Sequence, residues 1–280
     1  MPESSQFAKQ AACLAMTAKV VDEEIARILL ALNDTGFVCR LFADAAVQDK
    51  TITPGAWRTL SNALPRETLA AHLHDAFISA LRNRSDRGAK NTGYLLAKLK
   101  LDKEEVDTMI TAALDHDNLH MAAWLMRRPA ILVNRLTIYR WLKKNSKRAT
   151  DLSCEIERQL EAAKDHGGRR QFLEHLAEDV SCVIKDNEAL RQAISRGEPD
   201  EIADALYGCL LVTDESREAM EQFAWDNPER IPHLAELMQK DAKEVVEDGA
   251  TPAMGNFFRA FAQELIKRAE AAKTAARLGG

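Results

Sequence analysis

Residues 66–84 read RETLAAHLHDAFISALRNR, and within them Leu69, Leu73, Phe77 and Leu81 recur at every fourth position. A helix turns once every ~3.6 residues, so this spacing stacks the four side chains along one face. The same period returns in Val106, Ile110, Ala113 and Leu114, and again in Ile202, Ala205, Leu206, Cys209 and Leu210. No run alternates apolar and polar residues between turn signals, as a half-buried strand would. Thr35 to Phe42 is the one place where a short extended piece fits. The fold class read from the chain is all-α.

Breaks in the pattern are few and read as helix ends. Thr53-Pro54, Leu64-Pro65, Asn227-Pro228 and Thr251-Pro252 each put proline near a helix entry, where its missing N–H costs nothing. Asp102 with Glu105 has the spacing of a capping box, and Asp186 and Asp214 are further N-cap candidates. These marks divide the chain into helices at about 5–32, 36–48, 54–62, 66–84, 88–100, 103–116, 119–128, 131–146, 151–165, 169–185, 187–196, 200–212, 215–226, 229–241 and 253–277. Short links between such helices suit an irregular multi-helix bundle or a HEAT-like helical array. Residues 113–130 resemble a HEAT-type turn, one helix ending near Asp117-Asn118 and the next beginning apolar. Ile202 to Met238 can be read the same way, although three units do not align at one period.

Charge is spread unevenly over the 280 residues. The net charge is -5, yet residues 76–150 hold 15 basic and 7 acidic side chains, whereas residues 151–280 hold 16 basic and 27 acidic. The change places a boundary near Thr150. It separates an N-terminal helical region, 1–150, from an acidic helical region, 151–280, expected to pack on the first as one unit. Hydrophobic residues make up 46% and charged residues 29%, the composition of a globular protein and not of a disordered one. No apolar run approaches the ~18–20 residues of a membrane span, and Met1 to Lys19 lacks the apolar stretch of a secretory signal. A cytoplasmic protein without a membrane partner is expected. Cys13, Cys39, Cys154, Cys182 and Cys209 show no C-x-x-C spacing and are expected to be small buried thiols.

The basic excess peaks between Asn118 and Thr150, a window with no acid. It contains Arg127, Arg128, Arg135, Arg140, Lys143, Lys144, Lys147 and Arg148. In a helix running from about Ile131, Arg140, Lys143, Lys144 and Lys147 share one face, while Ile131, Ile138 and Leu142, with Trp141 at the edge, form the docking face. Such a face fits an acidic protein partner, or the chain's own acidic region. It also fits nucleic acid, where lysine and arginine displace condensed counterions. Helices 103–116, 119–128 and 131–146 have the outline of a helix-turn-helix unit spanning about 103–147, with Asn134, Arg135, Thr137 and Arg140 as candidate base-reading residues. The link from Arg127 to Val133 is long for that motif and contains Pro129. Arg82, Arg84, Arg87 and Lys90 could extend the patch.

His116-Asp117-Asn118-Leu119-His120 is the most site-like string. His116 and His120 lie at i, i+4, the spacing that puts two imidazoles on one helical face for a metal. With Ala112 to Leu114 before it, the His-Asp pair resembles the central motif of HD-type phosphohydrolases, an all-helical family. That resemblance implies metal-dependent hydrolysis, with His72 or His74 as the upstream ligand. The chain departs from the pattern in having Leu119 where the family has glycine, and no acid between Asp117 and Asp151. Gly167-Gly168-Arg169-Arg170 could open a helix onto an anion, but is expected to be a loop. No phosphate loop, dinucleotide fingerprint or nucleophile elbow is present. In the C-terminal helix, Phe257, Phe258, Phe261 and Leu265 form a docking stripe. The residues point to a non-enzymatic regulatory or adaptor protein with no cofactor, no evident small-molecule substrate, and an acidic protein or nucleic acid as partner.

Overall fold

A computed structural model describes residues 6, 9–10, 12–13, 15–48, 50–99, 101–127, 134–163, 167–247 and 252–278. Among the described residues the architecture is all-α, with fourteen α-helices and one pair of two-residue strands. The chain divides into two compact units, residues 1–138 with 155–173, and residues 139–154 with 174–280. The first contains β1 (Val20–Val21), α1 (Glu23–Leu30), α2 (Thr35–Val47), β2 (Thr51–Ile52), α3 (Pro54–Ala63), α4 (Arg66–Arg82), α5 (Asp86–Lys98), α6 (Lys103–Asp115) and α7 (Leu119–Arg127). The second contains α11 (Pro199–Tyr207), α12 (Asp214–Asp226), α13 (Ile231–Glu247) and α14 (Pro252–Leu278). Three helices, α8 (Arg135–Lys144), α9 (Ala149–Ala162) and α10 (Gly167–Arg196), contribute residues to both.

In the first unit α4 carries the pattern that identified the fold. Leu69, Leu73 and Phe77 are fully buried and Leu81 is 2% exposed, and the helix packs against α2, α5 and α6. Each such side chain contributes about 1.5–3 kcal/mol on burial. Helix α5 packs Gly93 against the Phe77 ring of α4, where a Cβ would stand in ordinary van der Waals contact at 3.4 Å. The caps follow the sequence at Thr53 and Asp102. Thr53 accepts the Ala56 N–H before Pro54, and Asp102 and Glu105 form both bonds of the capping box. Packing of neighbours (α4 with α5, α6 with α7) recurs with packing of alternate helices (α4 with α6, α5 with α7), the contact pattern of a helical array.

Several expectations are corrected. The helix expected over 36–48 stands, as Thr35–Val47, and leaves no extended piece at Thr35 to Phe42, because Asp34 caps α2 by accepting the Phe37 N–H. The helix expected over 5–32 is interrupted: Val20 and Val21 pair in parallel with Thr51 and Ile52, and Asp22 then caps α1. Residues 167–196 form one helix where a break at Asp186 was expected, and Gly167-Gly168 open it where a loop was expected. Asp186 and Asn187 use their side chains on the segment after α11 instead. The cap of α12 is Thr213, not Asp214. Cys209 and Leu210 lie beyond the end of α11, where Leu210 is half exposed.

The second unit packs α11, α13 and α14 through Leu206, Leu234, Met238, Phe258 and Leu265, all 0–1% exposed. The C-terminal aromatic stripe thus docks on the unit's own core, except that Phe257 is 38% exposed. Gly197 takes φ +81° directly after α10. A side chain is strained in that conformation, and glycine closes the helix without the penalty. No helix among the described residues is long and apolar enough to cross a membrane.

Candidate functional site

The basic segment is built around a helix shorter than the sequence suggested. Asn134 initiates α8: its side-chain oxygen accepts the Leu136 N–H at 3.2 Å, and its own N–H donates to Asp107 at 3.2 Å. Arg128 and residues 129–133 lie outside the described residues, so Arg128 and Ile131 are not placed. Along α8, Thr137, Ile138, Trp141 and Leu142 are buried, whereas Arg140, Lys143 and Lys144 are exposed. Spacing of i, i+1, i+4 and i+5 gives one apolar stripe, which leaves the cations on the other side. Asn145 ends the helix, its amide donating to the Trp141 carbonyl at 3.0 Å. Ser146–Arg148 then forms a single 3-10 turn leading into α9. Lys147 is therefore off the helix, which corrects the four-cation helical face expected from spacing.

Acidic groups from α12 reach part of this segment within the second unit. Lys143 lies 3.8 Å from Asp214, the Ser146 hydroxyl donates to Glu215 at 2.8 Å, and Arg191 donates to the same carboxylate at 3.0 Å. Arg148 pairs with Asp151 at 2.7 Å. A cleft of about 350 Å³ lies here, with Lys147, Thr150, Glu188 and Arg191 among its walls. Arg140, Lys144 and Lys147 have no ion-pair partner among the described residues, and all three are exposed. The acid contacts of Glu215 and Arg191 were missed by sequence reading, since partners 69 and 24 residues apart leave no local signal.

The residues expected to read bases are not displayed together. Thr137 is 8% exposed, Asn134 is occupied at the helix start, and Arg135 lies with its guanidinium 5.8 Å from the Phe172 ring centre. Arg169 lies 5.3 Å from the same ring, and burial lowers its pKa from the ordinary value. Of the four, Arg140 alone is exposed. Arg127 is half-buried at the end of α7, and Arg82, Arg84, Arg87 and Lys90 are exposed around the turn from α4 to α5, in the first unit.

The His116–His120 string forms a corner. His116 ends α6, Asp117 takes φ +59°, and Asn118 starts α7 by accepting the Met121 N–H at 2.9 Å while its amide donates to Asp86 at 2.8 Å. The two histidines lie on either side of this turn and share no helical face, so their i, i+4 spacing does not make a metal pair. His120 Nδ1 lies 3.2 Å from Glu155. Among the described residues no three His, Cys, Asp or Glu side chains gather as a metal site would require. His72 and His74 stay on α4. The thiols divide as well: Cys39 and Cys209 are buried, but Cys13, Cys154 and Cys182 are exposed, contrary to the expectation for all five. Burial, with Asp186 nearby, pushes the Cys209 thiol up to about 12.

No protein-family model matches the chain, and no curated protein matches it. Among solved structures, the chain is similar to a circular tandem repeat protein with novel repeat topology and enhanced subunit contact surfaces, at 15% identity and a TM-score of 0.22. The similarity covers 99% of this chain and spans 60% of that protein's length. At that score it carries no argument about fold or function.

Proposed function

We propose that this chain is a non-enzymatic regulatory or adaptor protein, working in the cytoplasm, whose basic segment binds an acidic surface on a protein partner. The observation that carries this reading is the set of exposed cations Arg140, Lys144 and Lys147, which have no ion-pair partner among the described residues, displayed by a chain whose net charge is -5. Unpaired like charges held close together repel one another, and an incoming acidic surface relieves that repulsion while steering association. Asp214 and Glu215 already meet Lys143 and Ser146 in this way, so the segment accepts carboxylates from a helix end. The engagement of Asn134 and Arg135 and the burial of Thr137 favour a protein partner over base reading.

The test compares the full chain with its R140E/K144E/K147E variant, both checked for intact helix content. A protein retained by the natural chain at physiological salt, released at high salt and absent from the variant supports the reading. Duplex DNA or RNA bound by the natural chain, with a steep salt slope and lost in the variant, overturns it in favour of nucleic acid. Identical partner recovery by both chains removes the segment from function altogether.

A further inference from the structure

A second, oppositely charged surface lies in the first unit. Helices α4 and α6, with the α5–α6 link, enclose a groove of about 480 Å³. Its floor is apolar, formed by Ala70, Leu96, Leu101 and Met109. Among the described residues its lining carries five carboxylates, those of Glu67, Asp75, Asp102, Glu104 and Glu105, beside the guanidinium of Arg66 and the imidazole of His74. Three of these charged groups are already engaged: Arg66 pairs with Glu105 at 2.9 Å and donates to the Leu99 carbonyl at 3.1 Å, and Asp102 caps α6. Glu67, Asp75 and Glu104 are exposed, and their carboxylates have no ion-pair partner among the described residues.

We propose that this groove is the docking site for a basic peptide segment of a partner protein, which lays one apolar side chain on the floor and cations against the rim. Charge complementarity and shape both select that chemistry. Glu67, Ala71 and Asp75 follow one another at i, i+4 and i+8 along α4, so the two carboxylates stand roughly 12 Å apart with a small residue opening the wall between them. An extended peptide advances ~3.3 Å per residue, so cations four positions apart, with an apolar residue midway, match both the rim and the floor. A metal ion is a poor fit, because the carboxylates are spread along the rim and no three gather. The chain's own basic segment is a poor fit too: Trp141 and Leu142 are buried in place and cannot serve as the apolar anchor.

The probe is a fluorescein-labelled Lys-Ser-Leu-Ser-Arg peptide, titrated with the full chain by fluorescence polarisation at low and physiological salt. Saturable binding is expected. It should weaken about tenfold in the E67K/D75K variant, which reverses two exposed rim charges, and about tenfold in A71L, which fills the groove without changing charge. A control variant, E24K/D115K, changes net charge by the same amount at exposed positions away from the groove and should stay within about twofold of the natural chain. Thermal unfolding of each variant verifies that it is folded. The proposal is overturned if the peptide does not saturate, if the control loses as much affinity as E67K/D75K, if replacing the central Leu of the probe by Ser leaves affinity unchanged, or if spermidine displaces the probe as well as unlabelled peptide does. All these variants spare Arg140, Lys144 and Lys147, so the outcome is independent of the basic segment's role.

Discussion

Replacing Asn187 with leucine should cost the second unit about 3 kcal/mol, because the side chain is the anchor of the link between α11 and α12. Asn187 is 2% exposed. Its amide donates to the Leu211 carbonyl at 2.7 Å and to the Val183 carbonyl at 2.8 Å, and its oxygen accepts from the Thr213 N–H and hydroxyl, each at 3.0 Å. Losing the Val183 bond is cheap, since that carbonyl sits inside a continuous helix. The Leu211 carbonyl and the Thr213 N–H have no helix to fall back on, and Thr213 is fully buried. Leaving the buried Thr213 N–H unpaired costs about 1–3 kcal/mol and the half-buried Leu211 carbonyl adds less, and leucine's shape regains only part of it through packing. Urea unfolding followed by circular dichroism reads the loss as a midpoint lowered by about 1–3 M, for a slope of about 1–3 kcal/mol per molar. The T213V variant, which keeps the N–H but removes the hydroxyl, should destabilise less, and the double variant should fall short of additivity because both changes strike one network. A loss below about 1 kcal/mol in N187L would refute the anchoring argument, since one orphaned buried group alone costs that much.

Other outcomes follow from local geometry. Gly88→Ala adds a Cβ 2.8 Å from the Val47 carbonyl oxygen and 2.8 Å from the Ser85 hydroxyl. Overpacking of about 1–3 kcal/mol outweighs the gain of up to about 1 kcal/mol in helix propensity, so the variant should lose roughly 1 kcal/mol in thermal unfolding; equal or greater stability would contradict the close approach of α2 and α5. Titration of the folded chain with a thiol reagent at pH 8 should show three fast thiols, Cys13, Cys154 and Cys182, and two slow ones, Cys39 and Cys209. Because burial raises the Cys209 pKa to about 12, its contribution to stability is whole below the ordinary thiol value of about 8.5 and declines as pH rises towards 12. Fast labelling of Cys209 at pH 8 would contradict its burial.

How much of this was legible in the sequence depends on the range of the interactions. The stripe Leu69–Leu73–Phe77–Leu81 and the box Asp102–Glu105 are local devices, decided within a few residues, and both stand in the structure. The strand pair joins Val20 to Thr51, and two residues on each side are too few to show any period. Asp186 looked like the N-cap of a new helix because such residues compete for backbone hydrogen bonds. Instead the Asp186 carboxylate accepts the Leu210 N–H at 3.0 Å and Asn187 binds Thr213, so distant backbone satisfies both side chains and α10 runs on through them. The basic segment was legible as a charge run. Its display was not, since the start of α8 depends on Asn134 meeting Asp107 27 residues away, and Asn145 removes Lys147 from the helical face.

Binding by the R140E/K144E/K147E variant, measured beside the natural chain at two salt concentrations, decides whether the basic segment holds a protein partner. A specific protein partner should be held by the natural chain at physiological salt and lost from a fully folded variant, with no difference between the two chains on duplex DNA or RNA. Retention of that partner by the variant would contradict the protein-binding role, and so would nucleic-acid binding that disappears with the same three charges.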